Sequence, residues 1–418
     1  MKEDTIGRRM FMKQAALTGG GFGMLAAGAA GAQDEYGAAP AAPQDSAPAA
    51  PIDLPEGTKV PRKPLGKTGR EVPILLMGCS QKFDPKYDRR LHMAYKLGVD
   101  YLDTAQGYAN GQSHKTLAPF LEQVGRKNAW VTSKVHLEGR VATPENFVKH
   151  LEENCLPDLA TDYLDMFFMH MVKDEALLEP EYIKMGDDLK KSGKAQLFGF
   201  SCHDGNVVEL MNKAARVGGI DAIMFRYNFR QYGDMELNKS IDACKAAGIG
   251  LIAMKTQASV PEDLEKVIEF KSAQNSLAQA KIKAVWADDR IDSLVSSMQN
   301  VQQVQENVAA ACSNTKLSMN EFVQLNRLAA LTAAYACNGC SHLCEAKVQG
   351  NLKIAQQMRY LMYHDSYGDT ETARALYAQL SPEERDFDGV DLSGAMAVCP
   401  QKINIAQRLA DARAHLMA

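Results

Sequence analysis

The sequence predicts an α/β fold: a (β/α)8 barrel of eight parallel strands, followed by a small, mainly helical domain that carries a cysteine cluster. Three observations predict it. Strand-like apolar runs alternate with helical segments between residues 61 and 315. Several of these runs stop on a polar residue: VDYLD at Asp103, AWVTSK at Lys134, LDMFFMH at His170 and AQLFGFS at Ser201. A barrel assembles its site from residues at the C-terminal ends of different strands, so such endings are what it requires. After the last of the runs come CNGCSHLC and, far downstream, a Cys-Pro pair.

The amino terminus stands apart from this fold. Paired arginines in GRRMFMK (Arg8, Arg9) precede a Gly- and Ala-rich, weakly apolar run from Ala15 to Ala30, the pattern of a twin-arginine signal. The run is too short and too rich in glycine for a stable membrane span. Residues 1–32 therefore read as a removed signal, with Ala30-Gly31-Ala32 as the cleavage site and an extracytoplasmic or periplasmic destination. Residues 33–60, with GAAPAAPQDSAPAAP at their heart, hold too little apolar bulk to offset the entropy of ordering them and read as a disordered linker.

The barrel elements follow in order. Pro73–Met77 reads as the first strand, and 84–97 as its helix, with Gly98 as C-cap. Strand two is Val99–Leu102, with a helix from Ser113 to Val124 stopped by Gly125. Strand three is Ala129–Thr132; its helix, 144–155, has Thr143 as N-cap and Pro144 at the first helical position. Strand four, Leu164–Met169, is apolar at nearly every position, as a strand buried on both faces should be. Strands five to eight are Gln196–Phe200, Ala222–Phe225, Gly250–Ala253 and Asp292–Val295.

The polar strand ends suit carbonyl chemistry. Each alone has a plain reading: a rim lysine, a core histidine, a capping aspartate. Together at matching strand ends, Asp103, Lys134, His170 and Tyr108, five residues after Asp103, are expected to converge. Hydride reaching a carbonyl carbon leaves charge on oxygen, which needs a proton donor within hydrogen-bond reach. Tyr108 would be that donor, with buried Lys134 lowering its pKa, Asp103 keeping Lys134 charged, and His170 orienting the oxygen. The formal charge of −4 gives no reason to expect nucleic acid as a partner.

LGKTGREVPILLMG, VDYLDTAQGYANGQSHKTL, VTSKV, MFFMH, GKAQLFGFS and QVQEN, in this order, resemble the motifs of the aldo-keto reductases over about residues 62 to 310. The resemblance implies NAD(P)H as cofactor, a small carbonyl or alcohol as substrate, and Gly78, Ser201, Glu306 and Asn307 as cofactor-binding positions. The chain departs from that pattern where the family's amide and ring contacts fall on Cys202, Met224 and Met254, and where its phosphate-binding cations fall on Ser297 and Gln303. No GxGxxG opens a Rossmann helix, so a nicotinamide would bind to the barrel face.

In residues 316–418, Ser318 and Glu321 form the signature of a capping box that starts a helix to about Tyr335. Cys337, Cys340 and Cys344, spaced C-x2-C-x3-C, together with Cys399-Pro400 resemble the ligand set of one [4Fe-4S] cluster. A structural zinc held by four cysteines, or free or disulfide-bonded thiols, are the alternatives. The intervening segment is helical, with Ile354, Met358, Leu361 and Met362 at the spacing of a core stripe. Cys79, Cys155, Cys202, Cys244 and Cys312 read as scattered apolar positions.

Signal, barrel and cysteine tail together resemble the iron-sulfur oxidoreductases of the aldo-keto reductase superfamily. That implies an exported enzyme with a redox partner protein. The alternative is a non-enzymatic barrel with an eroded nicotinamide site, acting as a ligand-binding or electron-carrier module.

Overall fold

The computed structural model describes residues 52, 54–258 and 260–417. The signal reading (1–32) and most of the linker reading lie outside them. Eight parallel strands close a barrel: β3 (Leu75–Gly78), β4 (Tyr101–Asp103), β5 (Trp130–Val135), β6 (Leu164–Met169), β7 (Ala195–Cys202), β8 (Ala222–Arg226), β9 (Gly250–Met254) and β10 (Ser293–Ser296), with β10 pairing back onto β3. A helix or helical stretch lies between successive strands from β3 onward. All eight expected strands are present. Most run one to three residues further toward the site end than the apolar runs suggest, because ladder pairing continues through polar residues such as Lys134 and Ser201.

Two short strands precede the barrel and escape sequence reading, since three residues are too few to show an alternation. β1 (Arg62–Pro64) and β2 (Glu71–Pro73) form an antiparallel hairpin. Its Leu65 and Val72 join Leu76, Tyr101, Met166, Phe168, Ile252 and Met254 in the cluster that fills the barrel interior, which closes the end opposite the site. The larger core lies between strands and outer helices. Leu54 and Val60 pack against it, and the Val60 amide donates to the Leu97 carbonyl at 2.9 Å, so the end of the linker stretch is part of the packed body.

Local rules explain several helix limits. The helix expected from residue 84 starts at Arg89, because the Asp88 side chain accepts from the Arg90 and Leu91 amides and fixes the N-cap there. Thr143 caps the helix from Pro144 as expected, accepting from the Asn146 amide, but the helix widens into a π-turn at Leu151–Cys155. The Ser318–Glu321 capping box is present at the start of Met319–Leu331. That helix, however, packs Phe322, Leu325 and Leu328 into the main barrel core, so the barrel body reaches past residue 315.

Beyond it the chain forms two small cores. Cys344, Ile354, Met358, Leu392, Cys399, Ile403 and Ile405 make one; Leu361, Ala373, Tyr377, Ala412 and Leu416 make the other. The stripe on the helix Ile354–Tyr367 therefore divides: Ile354 and Met358 face the cysteine core, Leu361 the second, and Met362 is only half-buried. Among the described residues, no helix is long and apolar enough to cross a membrane.

Candidate active site

Asp103 ends β4, Lys134 is the penultimate residue of β5, and His170 follows β6 directly. The parallel register sets these residues side by side at one mouth. Lys134 Nζ lies 2.8 Å from Asp103 Oδ2 and donates also to the Thr104 carbonyl at 2.7 Å, with both side chains almost wholly buried. Tyr108 reaches the same point from the turn after β4. Lys134 Nζ sits 4.9 Å from the centre of its ring, and the His170 ring meets it edge-on at 5.6 Å. All four expected side chains thus meet.

The electrostatics differ from expectation on one point. Burial first, and then the negative charge of Asp103, push the Tyr108 hydroxyl well above its ordinary pKa. The net shift is upward where Lys134 was expected to lower it; the ammonium bonds Asp103 and stands over the Tyr108 ring. Tyr108 is therefore a neutral phenol that holds its proton. Burial and nearby cations hold His170 well below its ordinary value, so it is a neutral imidazole. In the Asp103–Lys134 pair, burial pushes the carboxyl up and the ammonium down, and each partner's charge pulls against this.

Residues the sequence did not single out complete the mouth. His203, just beyond β7, is 6% exposed, lies 6.2 Å from the His170 ring, and has a buried Nδ1 without a partner. Next to it Asp204 bonds Arg359 of the C-terminal helix at 2.8 Å, both side chains 4% exposed. Lys255, after β9, stands over the rings of Tyr363 and Tyr367 at 4.6 and 5.1 Å. Met171 and Lys255 both hold a left-handed backbone, which costs a non-glycine residue on the order of 1 kcal/mol and tends to occur at functional sites. The available signal was the polar run SCHDG directly after an apolar strand; the contribution of Arg359 and Tyr363, some 150 residues away, had none.

The cysteine domain is docked on this mouth. The Gly205 amide donates to the Gly339 carbonyl at 3.0 Å, and Arg226 Nη1 donates to the Cys337 carbonyl at 2.6 Å. A Cβ at Gly205 would come within 2.6 Å of Cys340 Cα, so the approach requires glycine there. Cys337, Cys340, Cys344 and Cys399 line one pocket with Ile354, Met358 and Pro400. All nine cysteines are free thiols. Burial pushes the Cys340 thiol up to about 11 and that of Cys344 to about 12. For Cys337, burial is opposed by the Gly339 amide, Arg226 and Arg359. Of the scattered five, Cys79, Cys155, Cys202 and Cys244 are buried as expected, and Cys312 is half-exposed.

The expected cofactor positions are already engaged within the chain. Ser201 Oγ accepts from the Met171 amide at 3.1 Å, Asn307 donates to Ser296 Oγ at 3.0 Å, and Glu306 accepts from the Ser276 hydroxyl. Gly78 lies against Ser297, whose Oγ would be 2.8 Å from an added Cβ.

Residues 80–260 match the Aldo/keto reductase family. The barrel carries an aldo/keto reductase domain. L-galactose dehydrogenase of Arabidopsis thaliana is 27% identical over 297 residues, 63% of this chain and 92% of that protein. The holo form of an aldo-keto reductase from Bacillus halodurans superposes with a TM-score of 0.54 at 21% identity, over 64% of this chain and 96% of its own. A Klebsiella pneumoniae aldo-keto reductase in complex with NADPH gives 0.50 at 21%, over 65% and 94%. The solved structures establish the shared barrel. With its aldo/keto reductase domain, the chain is an oxidoreductase of that type, and the C-terminal cysteine domain lies outside the matched residues.

Proposed function

We propose that the protein is an exported oxidoreductase that reduces a carbonyl, or oxidises an alcohol, at Tyr108 beside a cysteine-held [4Fe-4S] centre. The convergence of Tyr108, Lys134, Asp103 and His170 at one barrel mouth carries this reading. A small carbonyl compound bound there would place its oxygen between the Tyr108 hydroxyl and the neutral His170 ring. Tyr108 donates its proton as charge develops on that oxygen, and His170 supplies a second hydrogen bond that orients it; the two electrons and the second proton that reduction also requires would come from the redox partner and from solvent. Lys134, fixed by Asp103, stands over the face of the Tyr108 ring and holds the donor in place. In alcohol oxidation the same groups act in reverse.

The donor set fits a four-thiolate cluster: Cys337, Cys340, Cys344 and Cys399 surround one apolar pocket, and thiolates are the ligands such clusters take. Tetrahedral zinc, with bonds of about 2.3 Å, would draw its sulfurs to about 3.8 Å from one another. Among the described residues, the trio of His, Cys, Asp or Glu donors within 4.8 Å of one another is His364, Asp365 and His415; no three cysteine sulfurs are that close. In that trio Asp365 accepts from both imidazoles and faces Arg408, a hydrogen-bonded cluster. When bound, a [4Fe-4S] centre supplies one-electron chemistry beside the barrel mouth.

NADPH is bound by the Klebsiella relative, and Glu306 and Asn307 remain at the positions expected for the adenine end. At the nicotinamide end, Cys202, Met224 and Met254 offer no matching amide or ring partner, and the chain's own C-terminal segment bonds to the strand ends. Export through Arg8 and Arg9 is part of the proposal, as is a redox protein as electron partner.

The test is anaerobic purification with iron and sulfide analysis, followed by a carbonyl and alcohol panel assayed with wild type and Tyr108→Phe. Loss of about 10²–10⁴-fold in turnover is expected for the variant; wild-type turnover by Tyr108→Phe would count decisively against the mechanism.

A further inference from the structure

The cysteine pocket meets the barrel at a cation. Arg226 is the last residue of β8; its Nη1 bonds the Cys337 carbonyl at 2.6 Å, and its Nε is buried without an acceptor. Two further cations share this mouth. Arg359 is matched by Asp204, and Lys255 lies against two tyrosine rings. Arg226 has no carboxylate within ion-pair distance among the described residues; its recorded hydrogen bond is to a neutral carbonyl. Arg226 is half-buried, and an enclosed Nε–H left without an acceptor is unfavourable unless an anion stands nearby. The anion this chain can build beside Cys337 is the set of four thiolates around its metal centre, whose net charge, together with hydrogen bonding and exposure, sets its potential.

We propose that Arg226 is the counter-cation of the cysteine centre and raises its reduction potential, an inference that rests on the iron-sulfur reading above. Reduction adds one electron to the centre, breaks no covalent bond and increases its negative charge. A fixed positive charge stabilises the more negative state, and more strongly where the dielectric is low. Because Arg226 belongs to a barrel strand and Cys337 to the tail, the inference also assigns the barrel a part in tuning a centre whose ligands all come from the tail. Arg226 is a positioning and charge-setting residue, and it takes no part in the proton transfer at Tyr108.

The experiment is a dithionite potentiometric titration of the full chain followed by electron paramagnetic resonance, on wild type, Arg226→Gln and Arg226→Lys, each with iron and sulfide analysis. Gln retains a donor for the Cys337 carbonyl without the charge; Lys retains the charge. The expected result is a more negative midpoint for Arg226→Gln and a midpoint near wild type for Arg226→Lys. An unchanged midpoint in an iron-replete Arg226→Gln protein overturns the proposal and leaves the iron-sulfur reading intact. If Arg226→Gln purifies without iron, Arg226→Lys decides: recovery of iron and midpoint supports the role of charge, and failure to recover them overturns it. Wild type with stoichiometric zinc and no sulfide overturns the proposal and the reading beneath it together.

Discussion

Replacing Lys134 by Met tests whether the buried pair is the keystone of the barrel mouth. Lys134 is fully buried, and its ammonium is the recorded partner of Asp103 Oδ2, while Oδ1 is already buried without one. Without Lys134 the Asp103 carboxylate loses its recorded hydrogen-bond donor. Removing one member of a buried pair costs about 3–5 kcal/mol, a large share of the roughly 5–15 kcal/mol that holds a domain folded. At about 2–4 °C per kcal/mol for a domain of this size, the melting midpoint should fall by roughly 6–20 °C. In the variant, burial raises the Asp103 pKa above its unfolded value, so the folded form binds the extra proton. Stability then falls as pH rises, and the deficit should shrink toward about pH 4.

The double variant Asp103→Leu/Lys134→Met removes both charges and keeps similar volumes, so it should melt within about 1–2 kcal/mol of wild type. Its turnover should stay depressed by about 10²-fold or more, because the Tyr108 ring has lost the cation that stands over its face and holds the proton donor in place. Differential scanning calorimetry of wild type, Lys134→Met, the single variant Asp103→Leu and the double variant, with turnover measured on each, closes the cycle. A Lys134→Met protein that melts with wild type, or a double variant as unstable as that single, would refute the reasoning.

Three further outcomes are expected. If the proposed centre is present the protein should be brown, and Cys399→Ala should abolish that colour and lower the iron and sulfide content while the barrel's circular dichroism persists, because ligand site and tail close as one event; retained colour would remove Cys399 from the ligand set. His114, 1% exposed and bonded to Ser133, is held by burial from the ordinary 6.5 down to about 4. The unfolded chain therefore takes up a proton that the folded one refuses, and stability is lost as pH falls through that window, about 3 kcal/mol in all. Urea titrations across the window should show a flatter profile for His114→Gln, and an unchanged slope would contradict the assignment. Arg8→Lys with Arg9→Lys should leave the protein in the cytoplasm; fractionation showing undiminished export would count against the signal.

The sequence alone determined the barrel and most of the residues that meet at its candidate site. Strand four reads as buried on both sides because nearly every position is apolar, and Asp103, Lys134 and His170 announce themselves as polar endings on apolar runs. These are local signals, written in periodicity and in residue type at a strand end. Thr143, Gly98 and the Ser318–Glu321 box are local in the same way, since a cap satisfies amides within one turn of itself.

What only the tertiary structure decided depends on contacts between distant segments. The hairpin at Arg62–Pro73 is recognisable by the space it fills, and the helix Met319–Leu331 joins the barrel body because its apolar face finds the barrel core. The direction of the Tyr108 shift turned on how far its hydroxyl is enclosed beside Asp103, which no spacing encodes. The largest difference is the docking of the tail. Arg226 to Cys337, Asp204 to Arg359 and Gly205 to Gly339 each join residues more than a hundred positions apart. A buried charge leaves no trace in sequence of which distant group will neutralise it; that is fixed only when the chain closes and water is excluded from both.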